Sequence, residues 1–196
     1  ETVPIGAIPA QIDFALDRLK SLGPTRQIKL YNSGSFFDRR AIPTADHPAI
    51  AERVCSFERV VVECHPALVN DTCVRFRDLL DEHASMLSSS GLKNRPRLEI
   101  AMGLETVHPE VLPRLNKRMT LSQFSKAAQF LQMNDIALRV FILVKPPFLD
   151  EAESLHWAKR SLEFAFECNA SVASLIPTRG GNGALEILAQ RGEFAP

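Results

Sequence analysis

The sequence of 196 residues lacks three features that would each assign it to a class. It has no apolar stretch near the ~20 residues that a membrane-spanning helix needs, and no apolar core of a signal peptide. It also has no excess charge, because 23 Lys and Arg residues balance 23 Asp and Glu residues. This balance excludes a general attraction to nucleic acid or to an anionic membrane, and leaves a local basic patch open. The composition favours a cytoplasmic protein with a single domain over residues 1–196.

Closely spaced cysteine pairs are absent as well. The four cysteines, Cys55, Cys64, Cys73 and Cys168, form no C-x-x-C motif. Their spacing is too wide for a compact metal knuckle, so we predict no metal site on this sequence. Thiols of intracellular proteins are usually reduced. We therefore expect three of the cysteines to be buried or half-buried small residues, and Cys64 to lie near a functional site because of its neighbours.

Five short apolar runs alternate with segments of helical spacing. The runs predict strands over Ile28–Tyr31, Val60–Glu63, Arg97–Met102, Leu138–Val144 and Val172–Ile176. The spacing predicts helices over Ile8–Leu22, Asp46–Phe57, Asn70–Leu87 (in part), Pro109–Leu115, Thr120–Met133, Asp150–Cys168 and Ala184–Gln190, with a loop at Ser88–Gly91. Asp46 is a candidate N-cap, and Thr120 with Gln123 matches a capping box. This alternation predicts an α/β fold with a parallel sheet.

Each apolar run ends in a cluster of polar residues. Ligands of α/β proteins bind at the carboxyl ends of parallel strands, so the pattern indicates an enzyme or a ligand-binding protein. The first predicted element is a helix rather than a strand. We therefore expect a partial barrel that lacks its first strand, since a helix without its strand would leave apolar residues such as Ile12 and Leu16 with less sheet to cover.

Five short sequence motifs at these strand ends resemble, in this order, motifs of the radical S-adenosylmethionine (SAM) enzymes. They are Leu30–Phe36, Val61–Pro66, Met102–Thr106, Asn116–Thr120 and Ile176–Arg179. The chain looks closest to the subgroup of the elongator catalytic subunit, the methylthiotransferases and the oxygen-independent coproporphyrinogen oxidases. Within it, the chain is most similar to an uncharacterised branch related to the archaeosine-synthesis radical SAM protein. The resemblance implies a partial (β/α)6 TIM-like barrel.

The resemblance also implies two cofactors. In that family a C-x3-C-x2-C loop after the first strand binds a [4Fe-4S] cluster, which reductively cleaves SAM to a 5′-deoxyadenosyl radical. This sequence has no such motif. We therefore expect the cluster loop to lie upstream of Glu1, and the fragment by itself to be inactive and to bind SAM poorly. The intact protein would be an iron–sulfur oxidoreductase-like enzyme acting on an unknown substrate, tRNA or a metabolite.

Residues that would contact SAM follow from the matching motifs. The methionine amino group would be received by Ser33, Gly34 and Ser35. Glu63 resembles the carboxylate that accepts both ribose hydroxyls, which suits a group that only accepts hydrogen bonds. Glu105 would accept from the SAM amine or from Lys117. Lys117 stands where a basic residue meets the methionine carboxylate.

Candidate substrate contacts are His65, Lys145, Thr178, Arg179 and Asn182. The neighbouring turn at Gly180–Gly181 is a weak phosphate signal, because it could expose backbone N–H groups to an anion. We interpret Phe36, Phe37, Phe141 and Phe148 as core or rim packing. No catalytic residue is predicted.

Two alternatives remain open at this level. One is a lyase on a barrel scaffold with Lys145 as a Schiff-base amine. The other is a non-catalytic module that binds a nucleotide or RNA, which the neutral net charge argues against.

Overall fold

A computed structural model describes residues 2–19, 23, 25–32, 34–88, 95–181 and 183–194 of the chain. The strands are β1 (Gln27–Leu30), β2 (Arg59–Glu63), β3 (Arg97–Glu105), β4 (Ala137–Val144) and β5 (Val172–Pro177). The helices are α1 (Ala7–Leu19), α2 (His47–Val54), α3 (Asp71–Ser88), α4 (Val111–Arg114), α5 (Leu121–Met133), α6 (Glu151–Glu167) and α7 (Ala184–Gln190). Short 3-10 turns precede α2 at Thr44–Asp46 and α3 at Pro66–Leu68.

The strands form a parallel sheet in the order β1-β2-β3-β4-β5, surrounded by helices. Ile28 pairs with Val60, Val60 with Leu98, and Arg139 with Val172. This is the partial TIM-like barrel fold that the sequence predicts. Strand β1 is an edge of the sheet, and a cavity of about 500 Å³ lies between it and the apolar side of α1.

The predicted elements are all present, with shifted ends. Strand β3 continues to Glu105, three residues past its predicted end, and α3 is one uninterrupted helix. Of the predicted loop at 88–91, Ser88 ends α3 and the rest lies outside the described residues. The last three residues of the helix predicted at 8–22 also lie outside them. No described helix is both long and apolar enough to span a membrane.

Of the two helix caps predicted from the sequence, the structure confirms one and corrects the other. Thr120 and Gln123 form the expected capping box, because the backbone N–H of each donates to the side chain of the other. Asp46 precedes α2 but does not cap it. Its carboxylate instead accepts from the N–H of Gly6, 40 residues away, at 2.9 and 3.1 Å. Asp150 caps α6 in a capping box with Glu153.

Backbone contacts divide the chain into two compact units. Unit 1 comprises Glu1–Ala101 and Phe130–Ala137, and unit 2 comprises Met102–Gln129 and Leu138–Pro196. The single domain over 1–196 stays a prediction.

An aromatic cluster forms the centre of unit 1 between α2, α3 and the loop after β1. Phe36 lies 4.7 Å from Phe76 and 5.3 Å from His47, measured between ring centroids. Phe37 meets both Phe36 and Phe76 edge-on. All four side chains are buried, which confirms the core role predicted for Phe36 and Phe37.

One buried charge interrupts this core. Glu99 lies on β3 opposite Val61 and is fully buried, and its Oε2 is 3.3 Å from Nη1 of Arg59. A carboxylate can be buried when a cation is this close. The apolar neighbours of Glu99 in sequence gave no sign that the side chain faces the interior.

The cysteines are free thiols, as expected. Cys55, Cys64 and Cys73 are buried and Cys168 is partly buried. The adjacent Cys73 thiol, together with burial, raises the pKa of Cys64, so that Cys64 stays protonated at neutral pH.

Replacing Phe76 with alanine should destabilise the protein strongly. Its ring is fully buried and contacts three other rings of the cluster, so Phe76→Ala should lower the free energy of unfolding by about 3–5 kcal/mol. Urea denaturation measures this loss. Glu82→Ala, an exposed change on the same helix, should stay within about 0.5 kcal/mol of the parent. Equal losses for the two variants would show that the cluster is not the centre of unit 1.

Candidate functional site

The structure places four predicted site residues directly at strand ends. Glu63 is the last residue of β2 and Glu105 is the last residue of β3. Lys145 follows β4, and Thr178 follows β5. Each therefore lies at the carboxyl end of its own parallel strand, where α/β proteins bind ligands.

In unit 1, two hydrogen bonds join the loop after β1 to the end of β2. The Oγ of Ser35 accepts from the N–H of His65 at 2.8 Å, and the N–H of Phe36 donates to the carbonyl of Glu63 at 2.7 Å. Ser35 is buried, so its oxygen positions the end of β2. Because a hydroxyl also carries a donor, this bond leaves the O–H of Ser35 available.

Gly34 and Asn32 in the same loop differ in exposure. Gly34 is exposed, and a Cβ there would meet nothing closer than 3.9 Å. The side-chain oxygen of Asn32 is buried and has no hydrogen-bond partner within the described chain. Ser33 lies outside the described residues. Asn32 is therefore a further candidate acceptor, and its position directly after β1 was the available signal.

His65 and His108 play the same local role in the two units. Nδ1 of His65 accepts from the N–H of Ala67 at 3.2 Å and caps the turn that begins at Pro66. Nδ1 of His108 accepts from Glu110 and Val111 at 3.1 and 3.2 Å at the start of α4. When Nδ1 of a neutral imidazole accepts, Nε2 carries the proton. Both histidines precede a proline shortly after a strand, a repeat that the sequence interpretation missed for His108.

In unit 2, Glu105 and Lys117 form an ion pair. Nζ of Lys117 is 2.9 Å from Oε1 of Glu105, which is one of the two partners that the sequence predicted for this carboxylate. Glu105 is buried and has a left-handed backbone with φ of 64°. A Cβ at Gly103 would overlap the same Oε1, so only glycine leaves room for this carboxylate.

Lys145 lines a cavity of about 540 Å³ in unit 2. The guanidinium of Arg114 stacks 3.5 Å from the ring centroid of Phe148 and pairs with Glu193 at 3.0 Å in the wall of this cavity. Asp150 and Glu151 also line it. The partly buried Phe148 thus packs at a rim, as predicted.

The weak phosphate signal at Gly180–Gly181 has a different explanation. The carboxylate of Glu186, in the first turn of α7, accepts from the N–H of Gly181. The anion at this turn is therefore a side chain of the protein itself. A Cβ at Gly180 would come within 2.8 Å of the same oxygen, which explains the glycine.

The remaining candidates near this turn differ in their surroundings. The Thr178 hydroxyl donates to the carbonyl of Val144 at 3.0 Å, so it joins the ends of β4 and β5. Arg179 is exposed. Asn182 lies outside the described residues.

Comparisons with known proteins identify the fold. No family model matches the chain. It is 24% identical over 194 residues to an uncharacterised protein of Methanocaldococcus jannaschii, and 26% identical over 191 residues to archaeosine synthase subunit beta of Methanosarcina acetivorans. Each alignment covers 95% of this chain, but 50% and 51% of the relatives. The chain thus spans about half the length of the curated relatives it matches.

A solved structure gives the decisive match. The radical SAM methyltransferase TsrM of Kitasatospora setae, with cobalamin and a [4Fe-4S] cluster bound, superposes with a TM-score of 0.51 at 16% identity. The match covers 86% of this chain and 30% of that one. The chain has a radical SAM-related fold.

The described part of this radical SAM-related fold does not fit an iron–sulfur cluster. Clusters are held mainly by thiolates, and three of the four cysteines are buried. Among the described residues, no three His, Cys, Asp or Glu side chains come together in a way that could hold a metal. The residues at the strand ends do fit the polar groups of SAM, because they offer carboxylate acceptors and a lysine donor.

The contact between Glu186 and Gly181 should respond to acid. Hydrogen bonds from its own N–H and from Gly181 lower the pKa of Glu186 below its ordinary value. The contact should thus be complete above the ordinary glutamate pKa, about 4.3, and be lost as the pH falls through the lowered one. The ¹⁵N–¹H chemical shift of the Gly181 amide should follow this titration. Its pH dependence should vanish in Glu186→Gln; a midpoint at or above the ordinary value would contradict the contact.

Proposed function

We propose that the protein is the SAM-binding core of a radical SAM enzyme, which abstracts a hydrogen atom from its substrate. The observation that carries this proposal is the presence of strand-end carboxylates and a lysine, Glu63, Glu105 and Lys117, on a radical SAM-related fold. When bound, a [4Fe-4S] cluster supplies the electron that cleaves SAM. Its ligands are not among the described residues, so we assign no step of the reaction to it.

Glu63 is proposed to hold the ribose of SAM. A carboxylate has two oxygens that only accept hydrogen bonds, and two adjacent ribose hydroxyls supply two donors. The side chain is half-buried, where such bonds to a charged group are stronger than in water. The bonds of Ser35 and Phe36 to the end of β2 support the proposal, because they fix the backbone that carries Glu63.

Glu105 and Lys117 are proposed to hold the methionine part of SAM. That part carries an ammonium and a carboxylate, so each member of the ion pair can exchange its partner for an opposite charge on the ligand. Lys117 is half-exposed but Glu105 is buried, so the pair should open only when the ligand's ammonium takes the place of Lys117 beside the carboxylate. Gly34, Ser35 and Ser33 are proposed to receive the amino group through backbone and hydroxyl acceptors.

The substrate is proposed to be tRNA or a metabolite. Similarity to archaeosine synthase subunit beta supports the first, while the neutral net charge gives no general affinity for RNA. The proposed substrate contacts are His65, Lys145, Thr178, Arg179 and Asn182. The lyase alternative gains no support, since the cavity at Lys145 carries several acidic side chains rather than the apolar surroundings that activate a Schiff-base lysine.

Replacement of Glu63 with glutamine tests the proposal. In a longer form of the protein with a reconstituted cluster, Glu63→Gln should weaken SAM binding roughly 10- to 150-fold, because a hydrogen bond to a charged group contributes about 1.5–3 kcal/mol. Equilibrium dialysis measures the affinity, and the iron–sulfur absorption should be unchanged.

The matched control is Glu58→Gln, since Glu58 precedes the same strand at its other end and pairs with exposed Arg26. This variant should bind SAM like the parent. Equal affinity for Glu63→Gln and Glu58→Gln would remove Glu63 from the site, and loss of the cluster in Glu63→Gln would show a role in folding instead.

Gly103→Ala tests the position of Glu105 in the same protein. The added methyl group overlaps Oε1 of Glu105 and should displace the carboxylate, which weakens SAM binding about tenfold. In a Glu105→Ala background, the same substitution should change affinity little, since nothing remains to be displaced. Additive losses in the double variant would show that Gly103 acts independently of Glu105.

A further inference from the structure

A cavity in unit 1 lies outside the proposed SAM contacts. It has a volume of about 540 Å³, within the range of small-molecule sites. Residues from the first two turns of α2 and α3 line it, namely His47 and Pro48 on α2 and Thr72 and Arg75 on α3. None of these residues is a predicted SAM or substrate contact.

The charges at this cavity favour an anion. Arg39 and Arg75 line it, and neither guanidinium pairs with a carboxylate within the part of the chain that the structure describes. The first turns of two helices add partial positive charge at the same place. Asp38 is the acidic residue in the lining, and its Oδ1 accepts from the N–H of Arg40 at 2.9 Å.

On this side, α2 has no side-chain cap, and the His47 ring has an unpartnered nitrogen among the described residues. Asp46 precedes α2 but makes no side-chain cap, because its carboxylate binds Gly6. The His47 side chain is 4% exposed, and its Nε2 has no hydrogen-bond partner among the described residues. A buried polar atom without a partner costs free energy, and His47 is one of the residues that line the cavity.

We propose that this cavity binds a small phosphomonoester. The phosphate lies on Arg39 and Arg75 at the starts of α2 and α3, and the organic part packs against Phe37, Leu68 and Leu79. A planar guanidinium matches the oxygens of a phosphate, and the apolar wall distinguishes an ester from the free ion.

Binding of phenyl phosphate to the 196-residue chain tests the proposal. The backbone amide of Thr72 and Nε2 of His47 should show saturable NMR chemical-shift changes at millimolar probe. Inorganic phosphate and benzyl alcohol should each bind more weakly than phenyl phosphate. Arg39→Gln and Arg75→Gln should each weaken binding about tenfold, because a bond to a charged group is lost. Arg26→Gln, at an exposed arginine away from the cavity, should have no effect.

Three results would overturn the proposal. The first is no saturable shift at Thr72 or an unmoved His47 resonance. The second is equal affinity in the Arg39, Arg75 and Arg26 variants. The third is benzyl alcohol or inorganic phosphate binding as tightly as phenyl phosphate, which would leave no site for a phosphomonoester. Because the SAM contacts are different residues, SAM binding should be the same in all three arginine variants whether or not the proposed function is right.

Discussion

The candidate side chains depend on hydrogen bonds that hold the loops after parallel strands. Ser35 joins the loop after β1 to that after β2, Thr178 joins the end of β5 to β4, and the Oγ of Ser161 on α6 accepts from Val107 just after β3 at 3.0 Å. Each bond uses a short hydroxyl side chain that is buried or half-buried. The loop after a parallel strand lacks the inter-strand hydrogen bonds of the sheet. Hydrogen bonds from side chains therefore fix the backbone that carries the functional residues.

Three acidic groups near these loops have partners inside their own unit. Glu105 pairs with Lys117, Glu193 with Arg114, and Glu186 with the backbone of Gly181. Because these charges are paired locally, they produce little long-range electrostatic attraction for a ligand. The equal numbers of acidic and basic residues agree with this. The arginines at the cavity between α2 and α3 are different, because no described carboxylate pairs with them. Charge is thus paired at Glu105 and Lys117, whereas no described carboxylate pairs with the two arginines at the proposed anion site.

The fold was largely predictable because its signals are local. Short apolar runs and helical spacing located every predicted strand and helix within a few residues. The Thr120–Gln123 capping box was predictable because both residues belong to one turn. The errors involve partners that are far apart in sequence. Asp46 looked like a cap but binds Gly6 across 40 residues, and the buried pairing of Glu99 with Arg59 was not predicted.

The candidate site was predictable only in part for the same reason. The order of motifs at strand ends indicated Glu63, Glu105 and Lys117 as site residues. Lys117 was one of the two partners that the sequence predicted for the Glu105 carboxylate. The glycine turn at 180–181 has the composition of an anion-binding turn. The anion that it binds is the carboxylate of Glu186, which lies beside the turn because α7 starts there. The cavity at Arg39 and Arg75 has no motif, because it depends on two helices that start side by side.

Product analysis of a longer form of this protein with a reconstituted [4Fe-4S] cluster would show whether the fold supports radical SAM chemistry. Under anaerobic conditions with a strong reductant and SAM, we expect 5′-deoxyadenosine to form together with methionine, both detected by mass spectrometry. Recovery of intact SAM from a reduced, cluster-loaded protein that binds it would contradict the assignment of this fold to radical SAM chemistry.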